Sequence, residues 1–330
     1  MLAETLREHL RATPFEAFLI QMTDGRRFEI PHPEFAAINR KGTELYVVNA
    51  NDVGIRLNTL LVASLARSVA ENTAGPVHMI GSSGGTGNGG GVTVTYSGSL
   101  ATNGAGAHGI FAQSAGGQGT GGAIGVTLAN GASVSAPGAG AYGILAQSVG
   151  LQGNGTIAVA IGQTAAVSGG SGTGGGILLL GGSANTITNQ GTLAAGLAVA
   201  SSIAIQVSSA AGQSSVGPTT INNSGTTSGQ VLVNGGTGTF NNLSGGTFNT
   251  GSTVTLGTSG TLVNAGTLAP GGRGQILTTT ISQGSLTQSS VGVLAIDISA
   301  ASNQADQIVV AGTAQLAGSV QANLLTTQQT

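Results

Sequence analysis

Two hydrophobic rhythms divide this chain. Over residues 2–12, Leu2, Leu6 and Leu10 recur every four positions with charged residues between them. That is the spacing of an amphipathic helix, and Pro14 ends it. Short runs rich in apolar residues follow: "FEAFLIQM" (15–22), "RRFEI" (26–30), "ELYVV" (44–48) and "GIRLNTLLVASL" (54–65). They predict strands, with Asp-Gly in "TDGR" (23–26) supplying a tight hairpin turn. Beyond residue 90 the rhythm becomes strict alternation. "GVTVTY" (91–96) and "STVTLG" (252–257) interleave aliphatic side chains with Thr, sending successive residues to opposite faces of a strand. No long helical pattern breaks this region, and no window reaches the roughly 18 consecutive apolar residues of a membrane-spanning helix.

The alternating region repeats itself. "GVTVTYSGSLATNGAGAHGIFAQSAG" (91–116) aligns without a gap on "GVTLANGASVSAPGAGAYGILAQSVG" (125–150), so that Gly91 matches Gly125 and Gly116 matches Gly150. Ten of the last 13 positions are identical. A second series places a shared Asn at 189, 223, 242 and 264, in "ITNQGTL", "INNSGTT", "FNNLSGGTF" and "LVNAGTL". A fixed period without helices implies stacked strand units. Val, Ile, Leu and Thr fill the strands, while Gly and Asn tolerate the positive φ of corners. Stacked Asn and Thr can bond from one coil to the next. The expected architecture is mostly β: a right-handed parallel β-helix, preceded by a small α+β domain made of a helix and a short curled sheet or barrel. At about 20 residues per coil, some 240 residues predict about a dozen coils and a rod on the order of 55 Å long.

The repeats also decide a motif. Gly104, Gly106 and Gly109 form G-x-G-x-x-G, a spacing that can cradle a dinucleotide pyrophosphate. The same spacing recurs at Gly138, Gly140 and Gly143. "GIFAQS" and "GILAQS" after each read as strands instead of helices, and no acid lies between Glu71 and Asp297. Corner glycines are expected, and no cofactor.

Composition sharpens the boundary between the two rhythms. Of 20 charged residues, 17 lie between Glu4 and Glu71, while only three of the 59 glycines precede residue 72. The domains are therefore drawn as 1–71, a Gly/Ser-rich linker at 72–90, and a solenoid over 91–330. A net charge of −2 gives no electrostatic attraction to nucleic acid. The absence of cysteine excludes disulfides and thiol chemistry. Glu4, Arg7, Glu8 and Arg11 interrupt the stretch where a secretory signal needs an apolar core.

Two resemblances follow from quoted residues. "FLIQMTDGRRFEIPHPEF" resembles a group of short uncharacterised bacterial proteins with a DGR and HPEF pattern, which implies no known chemistry. "AHGIFAQSAGGQG" and "AYGILAQSVG" resemble repeats in the passenger regions of bacterial autotransporters. "GTLAPGG" (266–272) and the segment 284–325 are similar to the last part of such passengers, with Asp297, Asp306, Val310, Gly312, Ala314, Leu316 and Gly318 on matching positions. The resemblance covers roughly 80–325. It implies a surface or secreted adhesin-like passenger whose region 266–325 acts as a folding nucleus. The family's signal peptide and membrane barrel are not encoded here, so a fragment or fused gene product is expected.

Candidate chemistry is sparse. His32 with Glu34, and His9 with Glu8, read as turn and surface residues. Arg26, Arg27, Arg40 and Lys41 offer a basic edge, but nine acids against eight bases in this segment make a mixed solvated surface the expectation. Asp297, Asp306 and Arg273 are the only charges after Glu71. Asp297 alternates with Leu294, Ile296 and Ile298 and is expected to point outward, so no catalytic carboxylate pair is assigned. Ser83 in "GSSGG" matches a nucleophile motif without the strand before it or helix after it. His78 and His108 lack metal-ligand spacing, and the calcium-binding glycine repeats' Asp is missing. Thr-x-Thr at 93–95, 253–255 and 278–280 does not mark every coil, which argues against ice binding. The expectation is a non-enzyme without metal or cofactor, located at the bacterial surface, outer membrane or outside the cell if exported. Its partners would be host or neighbouring-cell surface molecules, and exposed strand edges permit self-association. The alternatives are a disordered or self-assembling Gly-rich chain, and a polysaccharide-active β-helix enzyme.

Overall fold

The computed structural model describes residues 2–12, 18–22, 27–30, 33–48, 54–58, 62–67, 77–80, 87–194, 196, 199–210, 216–257 and 259–325. The amphipathic start is a helix, α1 (Leu2–Arg11). Six strands follow: β1 (Phe18–Met22), β2 (Arg27–Ile30), β3 (Ala36–Ile38), β4 (Glu44–Val48), β5 (Gly54–Asn58) and β6 (Val62–Arg67). They form two antiparallel three-stranded sheets, β2-β1-β6 and β3-β4-β5. The run 54–65, expected as one strand, is split between the two sheets. Leu6 of α1 packs with Phe18, Ile20, Ile30, Ala36, Leu45 and Val47 in a core of its own. The "TDGR" turn and Pro14 lie outside the described residues; the register Gln21↔Arg27 sets the hairpin that the turn would close.

From Val77 onward the chain is a three-faced parallel solenoid. Each coil contributes one strand to each face, as Val77–Ile80, Val92–Tyr96 and Ser99–Ala101 do in the first coil. The second face is a sheet of nine strands, one per coil. Pairing runs from one coil to the next in register, for example Ile110↔Ile144↔Ile177↔Ile205 on the first face. On the third, Leu100, Val134, Val167 and Leu193 stack in the same way. These inward files form one continuous core from Val92 to Leu286. Val77–Ile80 pairs with Ile110–Gln113, so part of the span read as a linker belongs to the first coil.

The number of coils differs from the expectation. Among the described residues there are nine, about 40 Å of rod at ~4.8 Å per coil, instead of a dozen. The spacings 34, 19 and 22 between the shared asparagines are each one turn. Asn189↔Asn223, Asn223↔Asn242 and Asn242↔Asn264 are directly opposed. Long coils carry longer corner excursions around the same three strands. The shortest coil is packed by Phe240 and Phe248, whose rings stack at 4.4 Å.

Those asparagines form a ladder inside the solenoid. Nδ2 of Asn189 donates to Oδ1 of Asn223 at 2.8 Å, Asn223 to Asn242 at 2.8 Å, Asn242 to Asn264 at 2.7 Å, and Asn264 to Oε1 of Gln288 at 3.2 Å. The amides of Asn189, Asn223 and Asn242 also donate to the backbone carbonyl opening the third face, at Thr226, Thr247 and Thr267. Both bonds from one amide group run to the next coil, one to its stacked asparagine and one to the carbonyl at its corner. All four asparagines are at most 1% exposed, so each missing partner would leave an uncompensated polar atom.

The duplicated G-x-G-x-x-G segments are stacked corners. Gly106 and Gly140 have φ of 66° and 71°. Gly106 N–H donates to the Ala139 carbonyl at 2.8 Å and Gly109 N–H to that of Tyr142 at 3.0 Å, so these amides serve the next coil. A Cβ on Gly138 would overlap the carbonyl of Gly104, and one on Gly170 that of Gly138. Only a bare backbone fits where coils touch this closely.

Asn223→Ala is expected to cost about 1–3 kcal/mol for the polar groups it orphans, measured by urea unfolding. Gly138→Ala should destabilise clearly, whereas Gly125→Ala, with nothing within 4 Å of the new methyl, should change the unfolding midpoint little.

Candidate functional site

Several of the titratable groups flagged in the sequence are, among the described residues, engaged in structural contacts. His9 Nδ1 lies 2.9 Å from the Thr5 carbonyl, and its ring is edge-on to Phe18 at 5.3 Å. Glu34 is exposed on a 3-10 turn; His32, Arg26 and Ser83 lie outside the described residues. Arg27 is on β2, while Arg40 and Lys41 occupy the turn of the other sheet, and the expected basic edge is divided between them. Arg7, Arg11 and Arg40 do border an open depression of about 390 Å³. Arg7 is already committed there, to Glu4 at 3.0 Å and to the carbonyls of Asn39 and Arg40 at 3.2 and 3.0 Å.

In the solenoid, His108 Nδ1 accepts the Tyr142 N–H at 3.0 Å, from its own counterpart one coil on. Burial lowers its pKa, keeping the ring neutral. The Tyr142 hydroxyl reaches Thr173 O and Gln206 Oε1, both at 2.6 Å. This spends the aromatic pair on joining successive coils. Among the described residues no group of three or more His, Cys, Asp or Glu can hold a metal.

Asp297 and Asp306 correct the sequence reading. Asp297 does occupy the row opposite Leu294, but it is covered, only 3% exposed, because the excursion 271–277 folds over that wall. Its Oδ2 accepts the N–H groups of Gly274 and Gln275, and its Oδ1 accepts Asn323 Nδ2 at 2.6 Å. Asp306 accepts Leu277 N–H at 2.7 Å and Asp297 N–H at 2.8 Å. Together the two carboxylates clasp the excursion, the eighth coil and the ninth. Arg273 donates to Gln321 at 3.1 Å, away from the pair. Alternation assigned the row correctly; the covering loop could be seen only in three dimensions.

The extended feature that faces outward is the second face. Its outer rows are uncharged and largely polar through successive coils. One file runs Thr186, Thr220, Thr239, Thr261, Ser285; the next runs Thr188, Asn222, Asn241, Val263 and Thr287, one apolar residue interrupting it. All are partly or fully exposed. Parallel register spaces them about 4.8 Å between coils and roughly 6.6 Å along the strand. Asn241 Nδ2 bonds Asn222 Oδ1 at 2.9 Å, holding neighbouring side chains in one orientation. Thr186 and Thr188 make a further Thr-x-Thr pair, and Ala158 with Ala160 interrupts the array one coil earlier. Periodicity in the Asn series was the signal that these positions align.

Burial raises the Asp306 pKa, and the nearby Asp297 charge adds to the effect against the backbone bonds. A raised folded value contributes stability fully present below the ordinary value of 3.8 and lost as pH rises through the folded value. The stability gap between the native chain and Asp306→Ala should therefore widen on acidification from pH 7 toward 4, read by urea unfolding at each pH. At pH 7 the substitution should still cost about 1–3 kcal/mol for each of two orphaned amides.

No family model matches this chain, and no match to a curated protein or to a solved structure was found.

Proposed function

We propose that the protein is a non-enzymatic structural stalk with an adhesive face, an autotransporter-passenger-like element displayed at the bacterial surface or released from it. The observation that carries this reading is the second face: in-register rows of Thr, Ser and Asn, interrupted at Val263 and without a single charge, about 10 Å or more broad and extending over several coils. Such a face offers hydroxyl and amide groups in a fixed grid to the neutral polar groups of surface molecules on a host or neighbouring cell. Rigidity reduces the entropy lost on contact. Each coil adds a copy of the same weak contact, so many such contacts act together.

The passenger resemblance of residues 80–325 supports surface display. The non-enzymatic reading is supported by the use already made of the charged side chains: Asp297 and Asp306 are consumed in backbone bonds, and general acid–base work needs a group free to reach a substrate.

Purified chain, fluorescently labelled, should bind intact bacterial or host cells with little dependence on salt, since the face is neutral. A triple variant, Thr188→Lys with Thr220→Lys and Thr239→Lys, should lose about tenfold or more in apparent affinity, ~1.4 kcal/mol, with an unchanged circular dichroism spectrum. Equal binding by the variant, or hydrolysis of a polysaccharide by the native chain, would overturn the reading.

A further inference from the structure

The small domain holds a feature that the adhesive face does not explain. Between α1 and the turn joining β3 to β4 lies the open depression of about 390 Å³, lined by Arg7, Leu10, Arg11, Ile38, Asn39 and Arg40. Three of these six are arginines and none is acidic, on a chain whose net charge is −2. The acids close by are engaged or stand apart. Glu4 bonds Arg7 at 3.0 Å, Glu44 faces Arg56 at 3.6 Å, and Glu8 is exposed on α1 outside the lining.

The three arginines are held differently. Arg7 is fixed before any ligand arrives: Nη2 donates to the carbonyls of Asn39 and Arg40, and Nη1 to Glu4. A guanidinium carries five N–H groups, so the bonds to described residues leave two of them to donate. Fixing the side chain in advance reduces the entropy lost on binding. Arg11 and Arg40 are exposed and have no ion pair among the described residues. Leu10 and Ile38 pack partly buried against the domain core and give the same depression an apolar wall.

We infer that this depression binds a small phosphate monoester, with the phosphoryl oxygens on Arg7, Arg11 and Arg40 and the carbon body against Leu10 and Ile38. The planar fork of arginine matches phosphate oxygens two at a time, and it stays charged throughout the physiological range. Three positive charges, one of them offset by Glu4, suit the roughly −1.5 to −2 of a monoester at pH 7 better than the single charge of a carboxylate or sulfate ester. The volume is at the small end of the roughly 300–1,000 Å³ of small-molecule pockets, which favours a free ester over a polymer. The site precedes the solenoid and does not depend on the adhesive reading.

Isothermal titration of the full chain with phenyl phosphate, in low salt, should show one saturable site with a Kd below about 1 mM. Raising the salt to about 0.3 M should weaken it several-fold, because the contacts are partly exposed. Inorganic phosphate lacks the carbon body and phenyl sulfate lacks the second charge, so each should bind more weakly. Arg11→Gln and Arg40→Gln should each lose about tenfold in affinity, with an unchanged circular dichroism melt. Arg273→Gln removes the same charge from the solenoid and should leave the Kd as it was. No saturation in the millimolar range, full affinity in both depression variants, or an equal loss in Arg273→Gln would each overturn the proposal. So would inorganic phosphate or phenyl sulfate binding as tightly as phenyl phosphate, or a chain that pellets with phosphatidate vesicles yet ignores phenyl phosphate.

Discussion

Everything in the solenoid depends on backbone hydrogen bonds between successive coils. In a parallel sheet each strand needs a neighbour on both edges, and here that neighbour is the chain itself, one turn further on. Register therefore constrains side chains along the rod: whatever stands at one position stacks on its counterpart. Isoleucine stacks on isoleucine along the first face, and valine and leucine fill the third. Where the stacked residue is Asn, the same geometry turns a buried polar group from a cost into a ladder, because each amide finds both an acceptor and a donor one coil away.

This constraint explains the composition. Most polar backbone groups are satisfied between coils, so the outer surface needs only small neutral side chains, and charge nearly vanishes after residue 71. Glycine accumulates for two separate reasons. Some corners need a positive φ, as at Gly140; others leave no space for a Cβ between coils, as at Gly138 above Gly104. The three charges that remain lie near the end of the rod. Two of them are placed where irregular chain must be tied down, since the excursion 271–277 has no coil of its own to supply acceptors.

The same constraint links fold and function. Repetition that stacks the core also repeats the outer face, so a regular array of hydroxyl and amide groups arises without any dedicated loop.

Much of this was legible in the residues. The change of rhythm near residue 72, the strand alternation, the corner glycines and the recurring asparagines follow from local physics: period-two patterning, steric freedom at corners, and the chemistry of amides. The residues alone also determined that the G-x-G-x-x-G spacing serves turns, because it recurs with strands after it. Tertiary structure alone decided what lies opposite what. The long step from Asn189 to Asn223 and the short one from Asn223 to Asn242 look like different units along the chain. Only register reveals them as equal turns, since excursion length does not alter a strand's partner. Likewise alternation put Asp297 on the outer row, but the loop that buries it, 271–277, belongs to an earlier part of the chain. Burial depends on that long-range covering, which no local pattern encodes.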